Sequence, residues 1–366
     1  IRGAFRLFFF MHQEPSGVWI MAYTTIDKPS DYFNTVLYSG TGSSQAITGV
    51  GFQPDWVWIK NRTGTNWHTL YDVIRGTTKV LNSNQSEAES TDATGLTSFD
   101  SDGFTHGSGG NGNVNGGSFV SWNWLASNTT ASNSNGSITS SVSASTTAGF
   151  SIVSYTGNAT SGATVGHGLS SQLDVIFIKN RTDAEAWQTY HRPLGATHHL
   201  SLNATSSAQD NDTRFNDTDP TSSVFTLGNN DTVNKNSSNF IAYCFAEVKG
   251  FSKFGSYTGN GNADGTFVYT GFKPAWVMVK ESSGTSDWSM YDNKREPFNV
   301  ADSTLEANTG DAEAVVSGRP IDILSNGFKL RGDSSYTNES GATYIYMAFS
   351  EAPFVTAGTK AAGTAR

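Results

Sequence analysis

The sequence predicts an all-β protein made of three tandem homologous antiparallel β-sandwich modules. Two observations carry this. One set of phrases occurs three times at nearly fixed spacing, and the apolar residues inside the phrases alternate with period two. Gly, Asn and Ser punctuate the short apolar runs throughout, which suits a sandwich or barrel.

Each copy opens on an apolar run ending in lysine, namely WVWIK to Lys60, VIFIK to Lys179 and WVMVK to Lys280. A Trp follows seven or eight residues later (Trp67, Trp187, Trp288), then a Tyr (Tyr71, Tyr190, Tyr291). A hairpin-like phrase comes next, with its Phe 44, 46 and 48 residues after the Lys. FVSWNWLA, FIAYCFAE or YIYMAFSE closes the copy, 15, 15 and 16 residues after that Phe. The Lys-ended runs are β-branched and aromatic, as in strands buried on both faces. In the closing strands Val120, Trp122 and Trp124 share a face, as do Ile241, Tyr243 and Phe245, and Ile345, Met347 and Phe349. Asp102-Gly103 and Asn326-Gly327 are expected to turn hairpins, and Ser223-Val224 implies a different turn in the second copy.

In chain order, residues 1–35 read as an N-terminal arm or attachment segment, with residues 21–37 the candidate assembly element. Its apolar run from Leu7 to Met11 is too short to span a membrane. Module one spans 36–126. Residues 127–149 carry no charge and no aromatic side chain and read as a flexible Ser/Thr/Asn-rich linker. Module two spans 150–248 and module three 253–352. The aromatic joint between them predicts that these two pack as a rigid pair. Residues 353–366 read as a flexible tail. The best helix pattern is the short stretch Asp311 to Ser317.

Charged residues make up 15 % of the chain and the net charge is −9, which argues against nucleic-acid binding by phosphate neutralisation. The single Cys, Cys244, cannot form an intrachain disulfide and reads as a small buried hydrophobe. No stretch is apolar enough for membrane insertion.

The phrases YTGNGNADGTFVYTGFKPAWVMVK, IDILSNGFKLR, NESGATYIYMAFSEAPF and FIAYCFAEVKGFSKFGSYTGNG resemble a repeated domain family of unknown function in tailed, especially marine, bacteriophages. The likeness runs from Met21 to Phe354. It implies a concanavalin-like or jelly-roll-like sandwich and a virion protein, often called a tail fibre. It implies no catalytic residue.

The residues themselves nominate no enzyme. No pair of carboxylates stands out for glycoside hydrolysis, and no nucleophile, zinc or phosphate-loop motif occurs. The Asp-rich loop with Asp210, Asp212, Asp217 and Asp219 has oxygens for Ca²⁺ but lacks the glycine and terminal glutamate of an EF-hand, so a solvated loop is the expectation. Trp67, Trp187 and Trp288, with Lys60, Lys179 and Lys280, are expected to anchor the repeat structurally. Asn82, Asn203 and Asn308 are expected to cap a turn.

Recognition is expected where the copies diverge, because loops vary without disturbing a scaffold. The candidates are His106, Asn111, Asn113 and Asn115; the four aspartates above; and Asp333, Tyr336 and Asn338. The resulting expectation is a bacteriophage virion structural protein on the tail or capsid exterior, a tail fibre contacting a host cell-surface glycan or protein. A capsid decoration or head-fibre protein is the second reading and a polysaccharide depolymerase the third. Expected partners are other virion proteins and, as for similar fibres, two more copies of the chain in a homotrimer, with no cofactor.

Overall fold

The computed structural model describes residues 11–13, 19–21 and 23–355. Of the predicted arm at 1–35, residues 1–10, 14–18 and 22 lie outside these residues, as do residues 356–366 of the predicted tail at 353–366. The described chain is all-β, and its α-helices are four-residue turns such as Asp231–Asn234.

Three large sheets hold the three copies of the repeated phrases, and each is accompanied by a small sheet. The first large sheet orders its strands Phe33–Ser39, Ser118–Trp124, Trp56–Asn61 and Thr69–Asp72. Its small partner holds Gln45–Thr48, Gly103–His106 and Leu96–Asp100. The second and third large sheets repeat this core order with extra edge strands. The closing strand is central and antiparallel to the Lys-ended strand in the same register each time. Lys60 faces Val120, Lys179 faces Ile241 and Lys280 faces Ile345.

Period-two alternation sends the two faces of these strands into different cores. In the first copy Val57 and Ile59 pack with Ile47, Leu96 and Phe104, between the large sheet and its small partner. Ile176 and Ile178 do the same with Phe225, and Val277 and Val279 with Phe328. The opposite faces meet in one shared core that joins Trp56, Trp122 and Trp124 to Tyr243 and Phe245 and to Trp276, Met347 and Phe349. The rings touch across copies: Trp56 and Tyr243 at 4.3 Å, Trp124 and Trp276 at 5.9 Å, Phe245 and Phe349 at 5.9 Å. Strands buried on both faces follow directly, and burying each such aromatic contributes roughly 1.5–3 kcal/mol.

Several expectations are corrected. Residues 127–149 are not a free linker, since Ala131–Asn133 and Ser140–Ser145 are strands at the edge of the second large sheet. Ser-rich segments can form edge strands when a few apolar groups anchor them, as Val142 and Ile138 do here by packing in the second core. Buried Asp55 also ties this segment to the first sheet. It accepts from the backbone of Ala126 (2.6 Å) and Asn128 (3.1 Å), and burial pushes its carboxyl up to about 6. All three copies share the central core, so no rigid pair forms apart from the first. The first sheet begins at Phe33, before the expected boundary, and Phe33 stacks on Phe349 at 5.0 Å. The stretch 311–317 forms no helix and holds the strand Ala314–Val315.

The turn chemistry also differs from expectation. The loops lie at Ser101-Asp102 and Ser325-Asn326, because Gly103 already pairs with Asp100 and Gly327 with Leu324. A Cβ on either glycine would sit 2.0 Å from a carbonyl oxygen of the neighbouring strand, Ile47 or Val268. Close backbone approach requires both glycines, and at Gly103 a φ of +146° requires one as well. In the second copy Val224 pairs with Gly166 and no third strand forms in that small sheet.

Candidate functional site

The three copies are joined cyclically. A strip after the second core strand of each copy lies against the next: 82–89 on the second copy, 201–208 on the third and 306–313 back on the first. Glu89, Ala208 and Glu313 each donate a backbone N–H across a joint, to the carbonyls of Arg181, Ser282 and Arg62 (3.0, 2.9 and 2.8 Å).

The recurrent lysines belong to these joints. Each is fully buried, with its ammonium reaching the carbonyl of an equivalent residue in the neighbouring strip. Lys60 Nζ donates to Gly310 (3.1 Å), Lys179 to Ser86 (3.1 Å) and Lys280 to Thr205 (3.1 Å). Burial lowers all three to about 8. Their own loops supply further carbonyls, including Asn61, Asn180 and Gly64. A lysine has three donors and no acceptor, so carbonyl oxygens suit it.

Trp187 and Trp288 act at the same joints. Both are buried and donate their indole N–H across, to Asn82 O (2.9 Å) and Ser201 O (3.1 Å). Asn203 and Asn308 cap them by accepting from their backbone N–H. Trp67 is not their equivalent, for it is 45 % exposed. The equivalent is His68, whose Nε2 lies 3.0 Å from Glu306 O and whose backbone N–H is capped by Asn84. Trp58 Nε1 donates to His68 Nδ1, which fixes the proton on Nε2. Burial holds this imidazole well below its usual range. The signal was present in the spacing: Lys to Tyr is 11 residues in every copy, so the position eight after Lys recurs whatever residue fills it.

Two of the joints carry a buried ion relay. Arg75 pairs with Asp72 and Glu89, and Glu89 pairs with Arg181 of the second copy. Arg295 pairs with Asp292 and Glu313, and Glu313 grips Arg62 of the first copy at 2.7 and 3.0 Å. Tyr243 OH and Trp122 Nε1 from the neighbouring copies cap Asp72 (2.7 Å) and Asp292 (3.2 Å). Burial pushes Glu313 up, but Arg62 and Arg295 outweigh it and hold the carboxyl below its usual range. The third joint has His191, Leu194, Ala208 and Ser282 at these places and no such relay. There His191 Nε2 lies 3.1 Å from Tyr346 O. The spacing Asp-x-x-Arg at 72–75 and 292–295 was legible; its glutamate partners, remote in sequence, were not.

The structure separates the predicted loop residues into two kinds. Asn113 and Asn338 are buried pegs, not surface groups. Asn113 donates to Gly107 O and Ser43 O and accepts from Thr41 N–H. Asn338 donates to Gly332 O, Asn262 O and Asn260 Oδ1 and accepts from Asn260 N–H. Asn234 does the same with Gly228 and Thr160. The copies therefore share a glycine six residues before an asparagine, inside loops that otherwise diverge. Asn338→Ala should cost about 1–3 kcal/mol by stranding buried partners, read as a lower urea midpoint at unchanged slope. A Gly/Ser replacement of the whole loop 332–341 would remove this peg as well.

His106 is buried and its Nδ1 lies 3.0 Å from Gly107 O. Tyr336 lies beneath Arg319, 3.4 Å from the ring centroid. Asp219 accepts from Tyr190 OH (3.1 Å) and Ala196 N–H (3.0 Å). Asn115, Asp210, Asp212, Asp217 and Asp333 are exposed, and Asn111 is half-buried. Among the described residues no group of three or more His, Cys, Asp and Glu is placed to hold a metal ion. No helix among them is long and apolar enough to cross a membrane.

Two concavities among the described residues lie where the first and third copies meet. One, of about 70 Å³, lies between the first and third copies and is lined by Thr35, Asn293 and Ser350, each with an otherwise unpaired buried oxygen. Such a lining suits ordered water. The other is an open cleft of about 310 Å³ over the relay joint of the third and first copies, lined by Arg62, Thr63, Ser118, Ala312 and Glu313.

No curated protein and no solved structure matches the chain. A family model described as a domain of unknown function (DUF7483) matches residues 28–353, nearly the whole chain. The protein therefore belongs to the DUF7483 domain family.

Proposed function

We propose that this chain is a non-catalytic structural protein on the exterior of a bacteriophage particle, adhesive to a host cell-surface glycan or protein. The observation that carries the reading is where the buried charge goes. The recurrent lysines, Asp72, Arg75, Asp292, Arg295 and Glu313 are all engaged in holding three sheet pairs around one core. We read those pairs as three copies of one sandwich module. A closed β body of this kind, with Asn, Ser and Asp in its outward loops, suits a scaffold that presents loops. The phrase-level likeness to phage virion proteins supports the location.

A homotrimer, as proposed for similar fibres, has to use other surfaces, because the cyclic joints are already satisfied within one chain. The test is twofold. Labelled antibody against the chain, viewed on particles by electron microscopy, is expected at the tail. Purified protein is expected to adsorb to host cells and to slow infection. Label on the head together with no adsorption would favour capsid decoration and overturn the adhesive reading.

A further inference from the structure

The position before the joint Trp holds Ala186 in the second copy and Asp287 in the third, but Trp67 in the first. Nothing in the repeated scaffold requires an indole there, and leaving one 45 % exposed gives up its burial energy. Its surroundings are polar and stiff. Asn61 Oδ1 accepts from the N–H groups of Thr63 and Gly64. Its amide donates to Asn66 (2.8 Å), whose own amide reaches Asn111 (3.3 Å). On its other flank the indole borders Gly310, where a Cβ would lie 3.6 Å from Trp67 Cδ1. Gly310 belongs to the strip 306–313, in which the exposed Asp311 follows it and Ala312 and Glu313 line the 310 Å³ cleft with Thr63. Gly310 and Ala312 are two residues apart, at most about 7 Å.

We infer that Trp67 and this cleft form one binding site for a short neutral oligosaccharide. The site rests on the adhesive reading above and names its ligand class. An exposed indole offers an apolar face to the C–H side of a sugar ring while its edge stays wet. Thr63 Oγ1 is held in the loop, donating to Asn61 Oδ1 and accepting from Ser118 N–H, so the Ser118 hydroxyl and the rim of the Arg62–Glu313 pair are the donors and acceptors the cleft offers. That pair is bidentate and internally neutralised, at 2.7 and 3.0 Å, so among the described residues the cleft lining offers no unpaired cation to an acidic sugar. The volume falls within the range of small-ligand clefts, about 300–1,000 Å³. A chain of rings, rather than one, would reach from cleft to indole.

The test uses the full chain on an array of mono- to tetrasaccharides of neutral hexoses, N-acetylhexosamines and uronic acids, together with adsorption to bacterial cells before and after periodate oxidation of surface sugars. Wild type is expected to retain neutral di- to tetrasaccharides. Trp67→Ala is expected to weaken binding at least tenfold with an unchanged melting temperature, and Trp67→Phe to stay within a few fold. Periodate should abolish cell adsorption. If Trp67→Ala binds sugar like wild type, the site is wrong while adhesion stands. Adsorption that survives periodate, with no sugar retained, points to a protein receptor and also overturns the site alone. Neither sugar nor cells bound overturns both readings.

Discussion

Arg295→Leu is expected to lower the unfolding free energy by about 3–5 kcal/mol, the cost of leaving a buried ion pair with one partner. Arg295 is fully buried at the joint of the third and first copies. Besides Asp292 and Glu313 it donates to Met290 O at 2.8 Å, and its guanidinium lies 5.9 Å from the Trp122 ring. Loss of the cation leaves the buried Asp292 with neutral donors alone, the Trp122 indole and the backbone N–H groups of residues 294 and 295, and leaves Glu313 with Arg62 alone. The protein carries its own control. The third joint performs the same closure with His191, Leu194, Ala208 and Ser282. Transplanting that set as D292H/R295L/E313A/R62S removes the charges together, and a buried ion network replaced as a whole is often near neutral. The quadruple variant should therefore lose less than the single one, within about 2 kcal/mol of the parent. Urea titrations of the three proteins decide it. A quadruple variant as unstable as Arg295→Leu would mean that the relay is not the unit that matters.

Acidification from pH 7 to pH 4 should cost the fold more than any single substitution proposed above. His167, His191 and His199 are buried, and burial lowers each to about 4. His68 and His106 are held down by burial as well. Below the ordinary value near 6.5 the unfolded chain binds a proton at each site that the folded chain refuses. Stability present above pH 6.5 is thus lost as pH falls towards 4, by roughly 3 kcal/mol for each of the first three. Asp55 acts in the opposite sense, since its folded value of about 6 lies above the ordinary carboxylate range. The folded chain takes up that proton first, which returns about 2 kcal/mol over the same window. The net expectation is a steep fall in melting temperature between pH 6 and 4.5, made shallower by His191→Leu. A melting temperature level across that range would contradict the assignment of neutral buried imidazoles.

Much of this protein was legible in its sequence for a physical reason. Period-two alternation reports which residues share a strand face, and both faces of the runs at 56–59, 175–178 and 276–279 are buried because both kinds of position are apolar. Fixed spacing between WVWIK, VIFIK and WVMVK and their closing strands reports a shared register, which the pairing of Lys60, Lys179 and Lys280 reproduces. What only the tertiary structure decided is what meets across the joints. Sequence distance carries no information about contact between Lys60 and Gly310, 250 positions apart. Composition made residues 127–149 look like coil, yet a waiting sheet edge and the Asp55 carboxylate make Ser140–Ser145 a strand. Trp67 looked like its counterparts because residue type is easier to match than register. Its exposure, and His68 in the place of the joint Trp, follow from where the backbone hydrogen bonds put each side chain.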